Sequence, residues 1–179
     1  MFEKFGEWRL FSRGEYFARS GEVLEYAGWI VSGGFKYYLT SSDGNNRVIG
    51  FSLDDSLLID NESVIHSTIM RTDIIALEDS EVIVIPAKIM REQLNCDHEL
   101  NMNLIMGFFE QLYDQFLEFS NLTPAQRYLQ LLDRYPRITE IASYGDIASY
   151  LNISRRQLQR IREKYFRSFV RKFVNSTSF

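Results

Sequence analysis

The sequence predicts an α+β chain: an antiparallel β-domain, then a long helix, then a small helical domain. Three observations carry that reading. Eight of the ten glycines fall within the first 50 residues, between short aromatic and β-branched runs. An apolar row with alternating spacings of 3 and 4 runs from Met102 to Phe119. Residues 121–179 hold eleven Lys and Arg against four Asp and Glu, a balance of +7, whereas residues 1–120 balance at −11.

The β-domain is read from Trp29-Ile30-Val31, Phe35 to Leu39, Val48 to Phe51, Asp73 to Leu77 and Val82 to Ile85. Such runs, separated by Gly, Ser, Asn and Asp, are strands joined by turns. Asp43-Gly44 supplies the positive φ of a hairpin. Many short strands without intervening helices indicate a barrel or sandwich. The domain is placed at residues 1–96.

After Pro86 the period changes. Ala87 to Leu94 reads as a short helix, and residues 97–120 as a long one. On it Met102, Ile105, Phe109, Leu112, Phe116 and Phe119 repeat as the seam of a coiled coil, which suggests a dimer. A single core-facing helix is the alternative. A second row, Leu104, Phe108, Gln111 and Gln115, is partly polar; a third, Met106, Tyr113 and Leu117, could face the β-domain. Thr123, Pro124 and Gln126 form a capping box with proline at the first helical position, opening residues 121–179.

Composition excludes several classes. No apolar run approaches the roughly 18 residues of a spanning helix. The opening stretch, with Glu3, Lys4, Glu7 and Arg9, lacks the apolar core of a secretory signal. The lone Cys96 fits a reducing compartment, so a cytoplasmic protein is expected. Cys96, His66 and His98 leave too little for a zinc or haem site. An enzyme on a β-barrel would use several His with a carboxylate, and only His66 falls there, so no catalytic residue is expected.

Residues 145–164 carry the function. Ile147, Ala148 and Leu151 share one face of a short helix, Asn152 tolerates a left-handed turn, and Ser154 with Gln157 caps a second helix. Leu158 and Ile161 bury that helix against the first, so the pattern is a helix-turn-helix. Ser154, Arg155, Arg156, Gln157, Gln159, Arg160 and Lys164 are the expected DNA-binding residues. Arg and Gln pair with guanine and adenine edges, while Arg162, Lys164 and Arg167 suit phosphates.

The order of these parts resembles the bacterial cyclic-AMP receptor / fumarate-nitrate-reduction regulator (Crp/Fnr) superfamily. The resemblance rests on Gly21-Glu22, Ser32-Gly33-Gly34-Phe35, Asp43-Gly44, Ala76 to Val82, Asp146 to Leu151, and Ile153-Ser154-Arg155 followed by Arg160. It implies a double-stranded β-helix sensor of the cyclic-nucleotide-binding type, a jelly roll, followed by a dimerisation helix. It also implies a winged-helix-like domain on double-stranded DNA, with a palindromic operator, a homodimer and RNA polymerase as a further partner.

Family members that bind cyclic nucleotide have a Gly-Glu pair for the ribose and an Arg with a small hydroxyl residue for the phosphate. By that resemblance Arg71 and Thr72 stand at the second element, and Glu62 is a loose counterpart of the first. Residues 53–63 contain no glycine and carry Asp54, Asp55, Asp60 and Glu62. Cyclic AMP is therefore not the expected main effector, and no cofactor is expected. A sequence-specific transcription regulator is the leading reading. The alternative is a small-molecule sensor, with cyclic nucleotide as its ligand, whose helical domain acts through a protein partner.

Overall fold

The computed structural model describes residues 1–40 and 46–176, with side chains through Tyr165. The expected Asp43-Gly44 turn and the Arg167 side chain lie outside the described residues. The chain divides into two compact units, Met1–Asn121 and Leu122–Phe179.

The described residues of unit 1 form eight strands: β1 (Glu7–Phe11), β2 (Tyr16–Ala18), β3 (Tyr26–Ser32), β4 (Gly34–Leu39), β5 (Arg47–Leu53), β6 (Ser56–Leu58), β7 (Thr72–Ala76) and β8 (Ser80–Pro86). They form two four-stranded sheets, in the orders β1-β8-β3-β6 and β2-β7-β4-β5, with every pairing antiparallel. Each sheet takes its strands from both halves of the domain, as a jelly roll requires. The core lies between them, where Phe11, Phe17 and Phe35 meet with ring centroids 5.5–6.0 Å apart. Ile30, Leu58, Ile74 and Val82 are fully enclosed around this cluster.

The β3–β4 corner shows why glycine is needed there. Gly33 has φ of 108°, and a Cβ on it would collide with Ser80. Its N–H donates to Asp54 Oδ1 at 2.6 Å, while the next N–H, of Gly34, donates to Ser80 Oγ at 3.1 Å. The expected strands are present. Sequence reading did not anticipate the short α2 (Asn61–His66), which Asp60 caps by accepting from the Ser63 N–H at 2.9 Å.

Besides α1 (Phe2–Phe5), two further helices complete unit 1: α3 (Ala87–Cys96) and α4 (His98–Asn121). Asp97 Oδ1 accepts from the Leu100 N–H at 2.9 Å and so caps the start of α4. Helix α4 does not meet the barrel through the row of Met106, Tyr113 and Leu117. Met106, Tyr113 and Leu117 are exposed, whereas Leu104 packs on the barrel core and Gln115 Nε2 donates to the Ile49 carbonyl at 3.2 Å. The partly polar row is the one that faces the strands, because β5 offers main-chain oxygens there as well as apolar surface.

Unit 2 consists of α5 (Pro124–Arg134), α6 (Ile138–Ile141), α7 (Tyr144–Tyr150) and α8 (Arg155–Ser176). The capping box forms as expected: Thr123 N–H donates to Gln126 Oε1 at 3.0 Å and the Gln126 N–H returns to Thr123 Oγ1 at 3.4 Å. Tyr128, Leu131, Ile138, Ile147, Leu151 and Leu158 make the core. Among the described residues unit 2 has no strand, and α8 runs on as one helix after the turn.

Candidate functional site

A cavity of about 220 Å³ lies between the barrel and α4. Tyr37, Gly50, Ser52, Leu57 and Thr72 line its barrel wall, with Asp60 and Asn61 at the start of α2. The α4 wall is Phe108, Gln111, Leu112 and Gln115. The alternation of β4 and β5 brings Tyr37 and Ser52 onto one face, where their hydroxyl oxygens stand 3.4 Å apart. Burial of the phenol pushes the Tyr37 pKa above its usual value near 10, and hydrogen bonds from Ser52 and the Ile59 backbone only partly oppose this.

Among the described residues, no Lys, Arg or His lines the cavity, and its one charged side chain is the Asp60 carboxylate. The three residues tied to a ligand by resemblance separate into two places. Arg71 and Glu62 pair with each other at 3.7 Å, with side chains 79% and 54% exposed, and neither lines the cavity. Thr72 is buried on the cavity wall. A cyclic phosphate in this space would lose its hydration beside a carboxylate and gain no cation, so these residues do not fit that group. Tyr37, Ser52, Asp60, Gln111 and Gln115 were not singled out as a site. Their one signal was the pair of glutamines four residues apart, in the same row of α4 as Leu104 and Phe108.

In unit 2, α7 and α8 are joined by a tight turn. Asn152 occupies the left-handed region at φ 55°, and the Ile153 N–H donates to the Ala148 carbonyl at 3.0 Å. Ser154 Oγ then accepts from the Gln157 N–H at 3.1 Å, so its hydroxyl is the N-cap of α8. Leu158 is fully buried and locks α8 on α7. That leaves Arg155, Arg156, Gln157, Arg160 and Lys164 together on the exposed side. The Arg155 guanidinium passes close to Gly145 of α7, where an added Cβ would fall 2.6 Å from its Nη2.

Two expected contacts are differently engaged. Gln159 Nε2 donates to Glu163 Oε1 at 3.1 Å. Arg162, assigned to phosphate, stacks 4.2 Å over the Tyr144 ring and bonds the Tyr128 hydroxyl. Burial raises the Tyr128 pKa, and the neighbouring Arg162 charge works against that shift.

No residue of α4 is buried in the single chain. Met102, Ile105, Phe109, Leu112, Phe116 and Phe119 are all exposed, with Phe109 at 57% and Phe116 at 65%. Among the described residues, no group of three or more His, Cys, Asp and Glu gathers as a metal site, and no helix is long and apolar enough to cross a membrane.

Residues 8–97, which span the two sheets, match the cyclic nucleotide-binding domain family. The chain belongs to that family. No curated protein sequence matches the chain. Among solved structures, this cyclic nucleotide-binding domain protein is similar to FixK2 of Bradyrhizobium japonicum, at 18% identity with a TM-score of 0.77, covering 91% of this chain and 85% of that one. It is also similar to CLP, a c-di-GMP-responsive global regulator of Xanthomonas campestris, at 15% identity with a TM-score of 0.67, over 93% and 89% of the two chains. CprK in complex with OCPA gives 16% identity and a TM-score of 0.61, over 93% and 81%. At such identities the likeness is one of fold, and it accords with the Crp/Fnr resemblance read from the residues.

Proposed function

We propose that this cyclic nucleotide-binding domain protein is a homodimeric, sequence-specific DNA-binding transcription regulator whose barrel is an effector domain not built for cyclic AMP. The observation that carries the reading is the exposed cationic face at the start of α8. Arg155, Arg156, Gln157 and Arg160 project from a helix whose N-terminal turn is fixed by the Ser154 cap and whose opposite face is fixed by Leu158. A recognition helix reaches base edges with its N-terminal residues, and these side chains carry the paired donors and acceptors that read guanine and adenine. The bare apolar row on α4 supports pairing of two copies, which would offer two such helices to half-sites about one turn, roughly 34 Å, apart.

The test is selection of bound sequences from a random DNA pool by the full chain, followed by measurement of specific against random binding across a salt series. Recovery of a palindromic site bound about a thousandfold more tightly than random DNA agrees with the proposal. Absence of any DNA binding leaves the protein-partner reading.

A further inference from the structure

The family's usual ligand does not fit the cavity, and the cavity's own lining indicates what does. It combines apolar walls with hydroxyl and amide groups from opposite sides: Tyr37, Ser52 and Thr72 on the strands, Gln111 and Gln115 on α4. Asp60 is the one charged group, and its carboxylate also caps α2. The 220 Å³ cavity is below the roughly 300–1,000 Å³ of drug-sized sites, which limits its occupant to a small molecule.

Resting on the reading of unit 1 as an effector domain, we propose that this cavity binds a small uncharged molecule, an apolar body with hydrogen-bonding groups, held between the Tyr37–Ser52 pair and the glutamines of α4. An uncharged ligand enters such a space with little desolvation cost and satisfies the wall hydroxyls and amides. An anion meets Asp60 with no compensating cation among the lining residues. Leu112 lines the cavity and also belongs to the exposed α4 row, so occupancy bears on the helix that would meet a second copy.

Benzamide and benzoate test this as a pair, since they share a shape and differ in charge. Thermal unfolding of the full chain is followed with each, with phenol, and with cyclic AMP. Benzamide is expected to raise Tm saturably, with benzoate at least about tenfold weaker. Asp60→Asn removes the charge and keeps a good helix cap. It is expected to narrow the benzamide preference to within about threefold. Gly50→Ile, where a Cβ would make ordinary contact with the Tyr37 ring at 3.6 Å, fills the cavity and abolishes the benzamide shift. The proposal is overturned by benzoate or cyclic AMP acting as strongly as benzamide, by no shift from benzamide or phenol at millimolar concentration, or by an unchanged preference in Asp60→Asn. DNA binding of the same samples reads the regulator proposal separately. Its loss with benzamide binding intact would fail that reading alone.

Discussion

The Arg71 guanidinium stands 3.7 Å from the Glu62 carboxylate, and both side chains are mostly in solvent. The family resemblance gives this pair to a phosphate and a ribose, yet each already answers the other's charge. An exposed ion pair contributes below about 1 kcal/mol. Arg71→Ala is therefore expected to leave the urea midpoint nearly unchanged, and to leave operator affinity indifferent to cyclic AMP. Calorimetric titration checks the second half. Micromolar cyclic AMP binding that vanishes in Arg71→Ala would show that the pair opens to take the nucleotide.

Phe109 is 57% exposed at the middle of α4, so the isolated chain does not need it for its core. Phe109→Asp is expected to leave cooperative unfolding of unit 1 in place and to turn a dimer into a monomer, because a desolvated carboxylate is costly at an apolar seam. Light scattering gives the mass directly. A dimer of unchanged mass would remove the α4 row from the interface.

The exposed cations of α8 separate by position. Arg155→Ala or Arg160→Ala should cost about 1–3 kcal/mol on the selected site and relax its sequence preference. Lys164→Ala should weaken binding to all sequences alike and lower the salt slope by about one. Competition binding on selected and scrambled DNA distinguishes the two, and equal losses for Arg155→Ala on both would end its base-reading role.

Asn152 holds the α7–α8 turn at φ 55°. Asn152→Val should destabilise unit 2 by about 1–2 kcal/mol, because a β-branched side chain crowds the left-handed region. Asn152→Gly should be close to neutral. Denaturant unfolding monitored in unit 2 provides the comparison.

Tyr37 carries a pH signature. Burial raises its folded-state pKa above the unfolded value near 10. Below pH 10 both states keep the proton, and the contribution is fully present. As pH rises past 10 the unfolded chain releases the proton first, so stability falls until the folded pKa is passed. Tyr37→Phe should flatten the stability curve above pH 10 relative to the native chain, a difference read from urea midpoints between pH 8 and pH 11.

The sequence alone determined what depends on neighbours along the chain. The Thr123–Gln126 capping box, the left-handed Asn152 and the Ser154 cap all formed, because each is satisfied by backbone groups within three or four residues. The alternating runs of the barrel were legible for a related reason, since one face of each strand must be buried. Tertiary structure decided where groups distant in sequence meet. Tyr37, Asp60 and Gln111 share a cavity only because β4, α2 and α4 converge there, and no local period encodes that. The face of α4 was misjudged for the same reason. Apolar periodicity identified rows of similar burial preference, but the Ile49 carbonyl on β5 makes a glutamine the better partner than Met106 or Tyr113. The Arg71–Glu62 pair likewise needed the fold, because charge attraction across nine residues becomes a contact only once α2 and β7 have fixed both ends.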